Sequence, residues 1–211
     1  MAIIIPAILE QTKEKFSATS SLVTKIPGVE RIQVDFADGK FVPNTLLPVA
    51  EIDALNPAFI WEAHIMCEEP KDFLDYKICG FKKVVLHYEA YSNKNLLTQA
   101  LKQIQDLGLE PAVCLNLDTP VSYLTDYVFL KNFQLMGIKP GFQGSPFFPE
   151  TLERIKELKA LLPHAIIEID GGVNETNIKS IKEAGADLIV VGSAIVKTEN
   201  PKEAFEKLNA N

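Results

Sequence analysis

The stretch IIIPAILEQT, residues 3–12, decides the fold. Its β-branched opening reads as a strand, and the segment that follows, PAILEQT, contains no glycine. A doubly wound nucleotide-binding sheet needs a Gly-rich loop at that point, so that backbone N–H groups can approach a phosphate. Seven more runs of the same kind follow: RIQVDF (31–36), FIWEAHIM (59–66), KVVLHY (83–88), PAVCLNL (111–117), FQLMGI (133–138), AIIEID (165–170) and LIVVGS (188–193). Helical patterns lie between them. NKNLLTQALKQIQDLG puts Leu96, Leu97, Ala100, Leu101 and Ile104 on one stripe and stops at Gly108, and FPETLERIKELKALL spaces Leu152, Ile155, Leu158 and Leu161 three apart. The second crossover, residues 37–58, is the least helical. Alternation of strand and helix implies a parallel sheet with crossover connections. Eight units in 211 residues predict a (β/α)8 TIM barrel, one domain over residues 1–211.

Composition narrows the partners. The formal net charge of −7 repels a phosphate backbone, and the lysines are scattered among glutamates rather than gathered into a patch, so nucleic acid is not expected. No apolar run approaches the roughly 18–20 residues that cross a bilayer, so no membrane is expected either. The start, MAIIIPAILEQ, lacks the basic segment and cleavage site of a secretory signal. Cys67, Cys79 and Cys114 are odd in number and without metal-like spacing, which suits reduced thiols in the cytoplasm.

In a barrel the functional groups gather at the carboxyl ends of the strands. Asp35, His64, His87, Glu89, Asn116 and Asp170 stand near those ends. Side chains alternate along a strand, so Gln33 points with Asp35, one layer below it, and Glu62 points with His64. Glycine-rich turns follow the last three strands: KPGFQG (139–144), with Gly141 and Gly144; then Gly171 and Gly172; then Gly192 and Ser193. Backbone N–H groups in such turns bind phosphate, which makes a phosphorylated small molecule the expected ligand.

Seven stretches carry a resemblance: VDFADGKFVPN (34–44), AHIMCEEP (63–70), HYEA (87–90), LNLDTP (115–120), MGIKPGFQGSPF (136–147), IDGGVNETN (169–177) and GADLIVVGSAI (185–195). Together they resemble the ribulose-phosphate 3-epimerases over essentially the whole chain. The resemblance implies a metal-dependent epimerisation at carbon 3 of a ketopentose phosphate, D-ribulose 5-phosphate to D-xylulose 5-phosphate, through an enediolate. It carries the acid/base pair onto Asp35 and Asp170, a metal ligand onto His64, and residues lining the intermediate onto Met66 and Met136. It also implies a divalent cation (zinc, manganese or magnesium) held by Asp35, His64 and Asp170, and a homo-oligomer. The departures fall in one site. Gln33 stands where the family has a metal-binding histidine, Ala7 where it has a serine, Ala37 where it has a methionine, and Gln143 and Ser145 alter the sixth-strand loop. A glutamine amide is a poor substitute for imidazole on zinc, so weaker binding or a shift toward manganese or magnesium is expected, with Gln33 as a fourth candidate ligand. Two other readings keep the same barrel: a Schiff-base lyase using Lys139, and a non-catalytic sugar-phosphate binder.

Overall fold

The computed structural model describes residues 2–141 and 144–210. Eight parallel strands close into a barrel in chain order: β1 (Ile3–Ile8), β2 (Arg31–Ala37), β3 (Ile60–Met66), β4 (Lys83–His87), β5 (Glu110–Leu115), β6 (Asn132–Met136), β7 (Ile166–Asp170) and β8 (Leu188–Val191). The barrel shuts where β1 pairs with β8, Ile3 opposite Leu188 through Pro6 opposite Val191.

Helices α1 (Lys13–Val23), α2 (Leu74–Cys79), α3 (Lys94–Asp106), α4 (Thr151–Leu161), α5 (Ile178–Ala184), α6 (Ser193–Val196) and α7 (Pro201–Ala210) fill most crossovers. Local chemistry sets their ends. The Thr12 hydroxyl accepts from the Lys15 N–H, and the Asn93 side chain accepts from the Asn95 and Leu96 N–H groups, satisfying donors that have no partner inside the helix. Strict alternation fails twice. The β2–β3 and β5–β6 crossovers carry only 3-10 segments, Val49–Glu51 and Val121–Tyr127. The α3 stripe buries Leu97, Ala100, Leu101 and Ile104, with Leu96 at its half-buried edge. In α4, Ile155 and Leu158 are buried but Leu161 is exposed. Steps of three residues slip behind a 3.6-residue turn, so the ninth residue along has rotated to the opposite face.

Pleating divides the core into two parts. Outward-facing side chains such as Ile32, Val34, Phe36, Trp61 and Ile65 join the helices in one large apolar layer. Inward-facing positions hold smaller clusters, Ile5, Ala7, Leu188 and Val190 on one side and Val85, Ala112, Cys114, Met136 and Ile138 on the other. The inside also holds charge. Lys83 Nζ lies 2.8 Å from Glu62 Oε2 and 2.6 Å from Glu168 Oε2, and Arg31 Nε lies 2.5 Å from Glu62 Oε1. Glu62, Lys83 and Glu168 are buried, so the Lys83 ammonium and the two carboxyl groups depend on one another for the solvation that water would give. Among the described residues no helix is long and apolar enough to cross a membrane.

Candidate active site at the barrel mouth

Register brings the polar strand ends together. Asp35 lies opposite His64 across the β2–β3 pair, and Met136 lies opposite Asp170 across β6–β7. A cleft opens there, lined by Asp35, His64, Met66, Met136, Asp170, Gly141, Gly144, Gly171, Gly172, Gly192 and Ser193. The two aspartates, His64, the two methionines and the turn residues nominated for phosphate therefore face one space, and Ala7 joins them, whereas His87, Glu89, Asn116 and Lys139 do not line it. Gln33 lies just beneath, fully buried. Gln143 lies outside the described residues.

Four polar heads meet on the cleft floor. Gln33 Nε2 donates to Asp35 Oδ1 and Asp170 Oδ2, each at 2.8 Å. His64 Nδ1 lies 3.1 Å from that Asp35 oxygen and 3.0 Å from that Asp170 oxygen. The two nitrogens are 3.4 Å apart. Gln33 thus reaches up into the carboxylate layer instead of staying one layer below. Burial pushes the Asp35 carboxyl up, with His64 pulling against it and the Asp170 charge adding to the rise. Burial would lower His64, but the hydrogen bonds to Asp170 and Asp35 hold it well above its ordinary value.

The spacing fits a cation. Donors about 2.0–2.2 Å from a metal are separated by roughly 2.8–3.1 Å at neighbouring octahedral corners and roughly 3.3–3.6 Å at tetrahedral ones. Gln33 Nε2 and His64 Nδ1 lie 2.8 to 3.4 Å from each other and from the two carboxylate oxygens, and the Asp35, His64 and Asp170 donor atoms all fall within 4.8 Å of one another. Gln33 Oε1 is buried without a hydrogen-bond partner. Rotating the amide turns that oxygen toward the two carboxylates, and the assignment of O and N in an amide follows its surroundings. Asp35, His64 and Asp170, with Gln33 Oε1, would hold a divalent cation through three oxygens and one nitrogen.

The glycine turns have steric reasons. Gly171 has φ +103°, and a Cβ there would sit 2.3 Å from the Ile138 side chain. At Gly172, φ +72°, a Cβ would meet the Phe147 backbone at 2.7 Å. Other strand-end residues are structural. Asp38 accepts from the backbone N–H groups of Lys40, Phe41 and Glu68, folding the loop after β2. Glu89 accepts from the Asn116 N–H and the Thr119 hydroxyl, outside the cleft lining. Lys139 is exposed and does not line the cleft. Gln134 escaped the sequence reading: its Nε2 lies 3.3 Å from Asp170 Oδ2 and 3.3 Å from His64 Nε2. Its signal was parity, two residues before Met136 on the same face of β6.

The profile of the ribulose-phosphate 3 epimerase family matches residues 3–196. The chain belongs to the ribulose-phosphate 3-epimerase family. As a member, it is an enzyme of the isomerase class. A ribulose-phosphate 3-epimerase of Synechocystis is 32% identical over 212 residues, covering 96% of this chain and 91% of its own. The one from Bacillus subtilis is 32% identical, covering 87% and 88%. Among solved structures, 3-keto-L-gulonate-6-phosphate decarboxylase from Vibrio cholerae superposes with TM-score 0.75 at 14% identity, covering 99% of this chain and 96% of its own. That similarity concerns the barrel alone, which epimerases share with other enzymes.

Proposed function

We propose that this epimerase interconverts D-ribulose 5-phosphate and D-xylulose 5-phosphate by proton transfer at carbon 3. The observation that supports it best is two carboxylates, Asp35 on β2 and Asp170 on β7, facing one cleft and bridged by a single amide and a single imidazole. Inverting a carbon beside a carbonyl needs one group to remove the proton from one face and another to deliver it on the opposite face. Either aspartate serves as base and the other as acid, according to direction. Burial of Asp35 brings its proton affinity closer to that of a working acid. The His64 imidazole and the Gln33 and Gln134 amides fix both carboxylates in place. Met66 and Met136 line the reacting carbons with polarizable, apolar surface that keeps water away. When bound, a divalent cation supplies Lewis-acid stabilisation of the negative charge on the enediolate oxygens.

Phosphate sits, in this reading, against the backbone of Gly144, Gly172, Gly192 and Ser193, all on the cleft wall. A cytoplasmic setting belongs to the same proposal and is supported by Cys67, Cys79 and Cys114 all being free thiols. The test is D-ribulose 5-phosphate in deuterated water, followed by NMR with magnesium, manganese or zinc added. Deuterium at carbon 3 together with xylulose 5-phosphate is the expected result. Tight binding with no exchange under any metal would make the chain a sugar-phosphate binder, and borohydride trapping of an adduct would make it a Schiff-base enzyme.

A further inference from the structure

His64 has two ring nitrogens, and only one faces the aspartates. The other, Nε2, lies 2.8 Å from His87 Nε2, with the two rings stacked 5.0 Å apart at 23°. Cys114 completes a triad whose donor atoms all fall within 4.8 Å of one another. The three come from adjacent strands β3, β4 and β5, with His87 opposite Cys114 in register, and each has 0% exposure.

The two donor sets around His64 differ in kind. On its Nδ1 side are carboxylate and amide groups; on its Nε2 side are an imidazole and a thiol. Two imidazoles and a thiolate form a soft set that favours zinc, cadmium or cobalt over magnesium. With metal–nitrogen distances of about 2.0–2.1 Å and metal–sulfur of about 2.3 Å, tetrahedral donors sit roughly 3.3–3.6 Å apart. The two imidazole nitrogens need to open by about half an ångström, which small ring rotations provide. Cys114 ligates as the thiolate, its proton leaving as the cation enters. His87 Nδ1 is buried without a hydrogen bond and lies 3.6 Å from Glu89 Oε2. A histidine that binds metal through one nitrogen commonly turns the other N–H toward a carboxylate, which is the placement found here.

We propose that His64, His87 and Cys114 form a second metal site, taking a thiophilic divalent cation, and that it competes for His64 with the oxygen-rich set of Asp35, Asp170 and Gln33. Binding there releases to solvent whatever protons the Cys114 sulfur and the metal-facing nitrogens of His64 and His87 carry, since each ligates only in its deprotonated form. The Nδ1 proton of His64 then stays between Asp35 and Asp170, so the oxygen-rich set loses its nitrogen donor and both carboxylates remain tied. A thiophilic cation therefore inhibits where a hard cation supports turnover. The inhibition rests on the epimerase reading; the site itself does not.

Cobalt(II) is the probe, because only thiolate ligation gives an intense charge-transfer band in the near ultraviolet. Titrating the folded chain should raise that band to saturation at one equivalent. Cys114→Ser should abolish it, His87→Gln, which removes a ligand outright, should weaken cobalt binding by at least roughly 10–100-fold, and Asp170→Asn should keep it, each variant being checked for native circular dichroism. No band in the wild type, a band surviving in Cys114→Ser (hence from Cys67 or Cys79), or its loss in folded Asp170→Asn would each overturn the proposal. If turnover is found, cadmium should inhibit the wild type at least about tenfold more strongly than Cys114→Ser. Equal inhibition would overturn the competition. Without any turnover, the cobalt spectrum still decides the site, so failure of the epimerase reading and failure of this one are separable.

Discussion

Asp35 and Asp170 share their hydrogen-bond partners so closely that neither can change without disturbing the other. Asp35→Asn or Asp170→Asn replaces a proton-accepting oxygen with an amide that can neither take nor return a proton. Turnover should fall by at least roughly 10²–10⁴-fold in a coupled xylulose 5-phosphate assay. Wild-type rates in either variant would refute the two-aspartate mechanism. Gln33 stands where the resemblance implies a metal-binding histidine. Its amide head lies within 3.4 Å of three other donors, so an imidazole there would add a nitrogen ligand to the same cluster. Losing a partner that only orients a ligand costs roughly 10–100-fold in metal affinity, so Gln33→His, which adds a ligand outright, should gain at least that much for zinc, measured by competition with a chromophoric chelator. Equal affinity in both proteins would mean that residue 33 does not reach the cation.

At the scale of strands and turns, the barrel interior holds a titrating layer. Burial pushes Glu168 up to about 8, the Glu62 charge adding to the rise and Lys83 opposing it. A carboxyl with a raised folded pKa binds more protons folded than unfolded. Its stabilising contribution is therefore full below its ordinary value of 4.5 and is lost as pH rises through about 8. Across that window the wild type should lose stability relative to Glu168→Gln, a difference read from urea midpoints at successive pH values. Parallel pH curves would show that Glu168 is ionised throughout. On the rim, Gly192→Val should raise KM for phosphorylated ligands without lowering the melting temperature, since the backbone there is assigned to phosphate. An unchanged KM in a folded variant would place the phosphate elsewhere.

Elements also explain what was readable. Asp35, His64 and Asp170 stood out because strand parity and strand ends are both one-dimensional signals. The Glu62–Lys83–Glu168 layer did not, because the depth of an inward-facing residue depends on stagger between strands, and one strand says nothing of its neighbour's offset. Gln134 and Cys114 were hidden for the same reason, lying on the inner face but below the rim. The missing helices of the second and fifth crossovers were half visible: residues 37–58 are rich in turn formers, whereas Val121–Tyr127 carries an apolar pattern that a helix could also have used.

For the whole molecule, we propose self-association. Leu74 and Ile78, one turn apart on α2, are 53% and 69% exposed, and Val128 and Phe129 are 68% and 48% exposed. Exposed apolar side chains grouped on one face mark contact surfaces, and a second copy of this chain is the partner proposed for these. Sedimentation should give a species larger than 23.4 kDa, reduced to the monomer by Ile78→Lys or Val128→Lys. A wild-type monomer at high concentration would end the proposal. The seam between β1 and β8 has a different consequence, one of timing. The first strand finds its second neighbour only when the last strand leaves the ribosome, on the order of 10 s later at ordinary elongation rates. Until then it is an open edge, the kind of template on which nascent chains aggregate. Pro6 lies within β1 and has no N–H to offer. A proline that removes one rung from the finished barrel thereby blunts the strand through the interval when it has nothing to pair with.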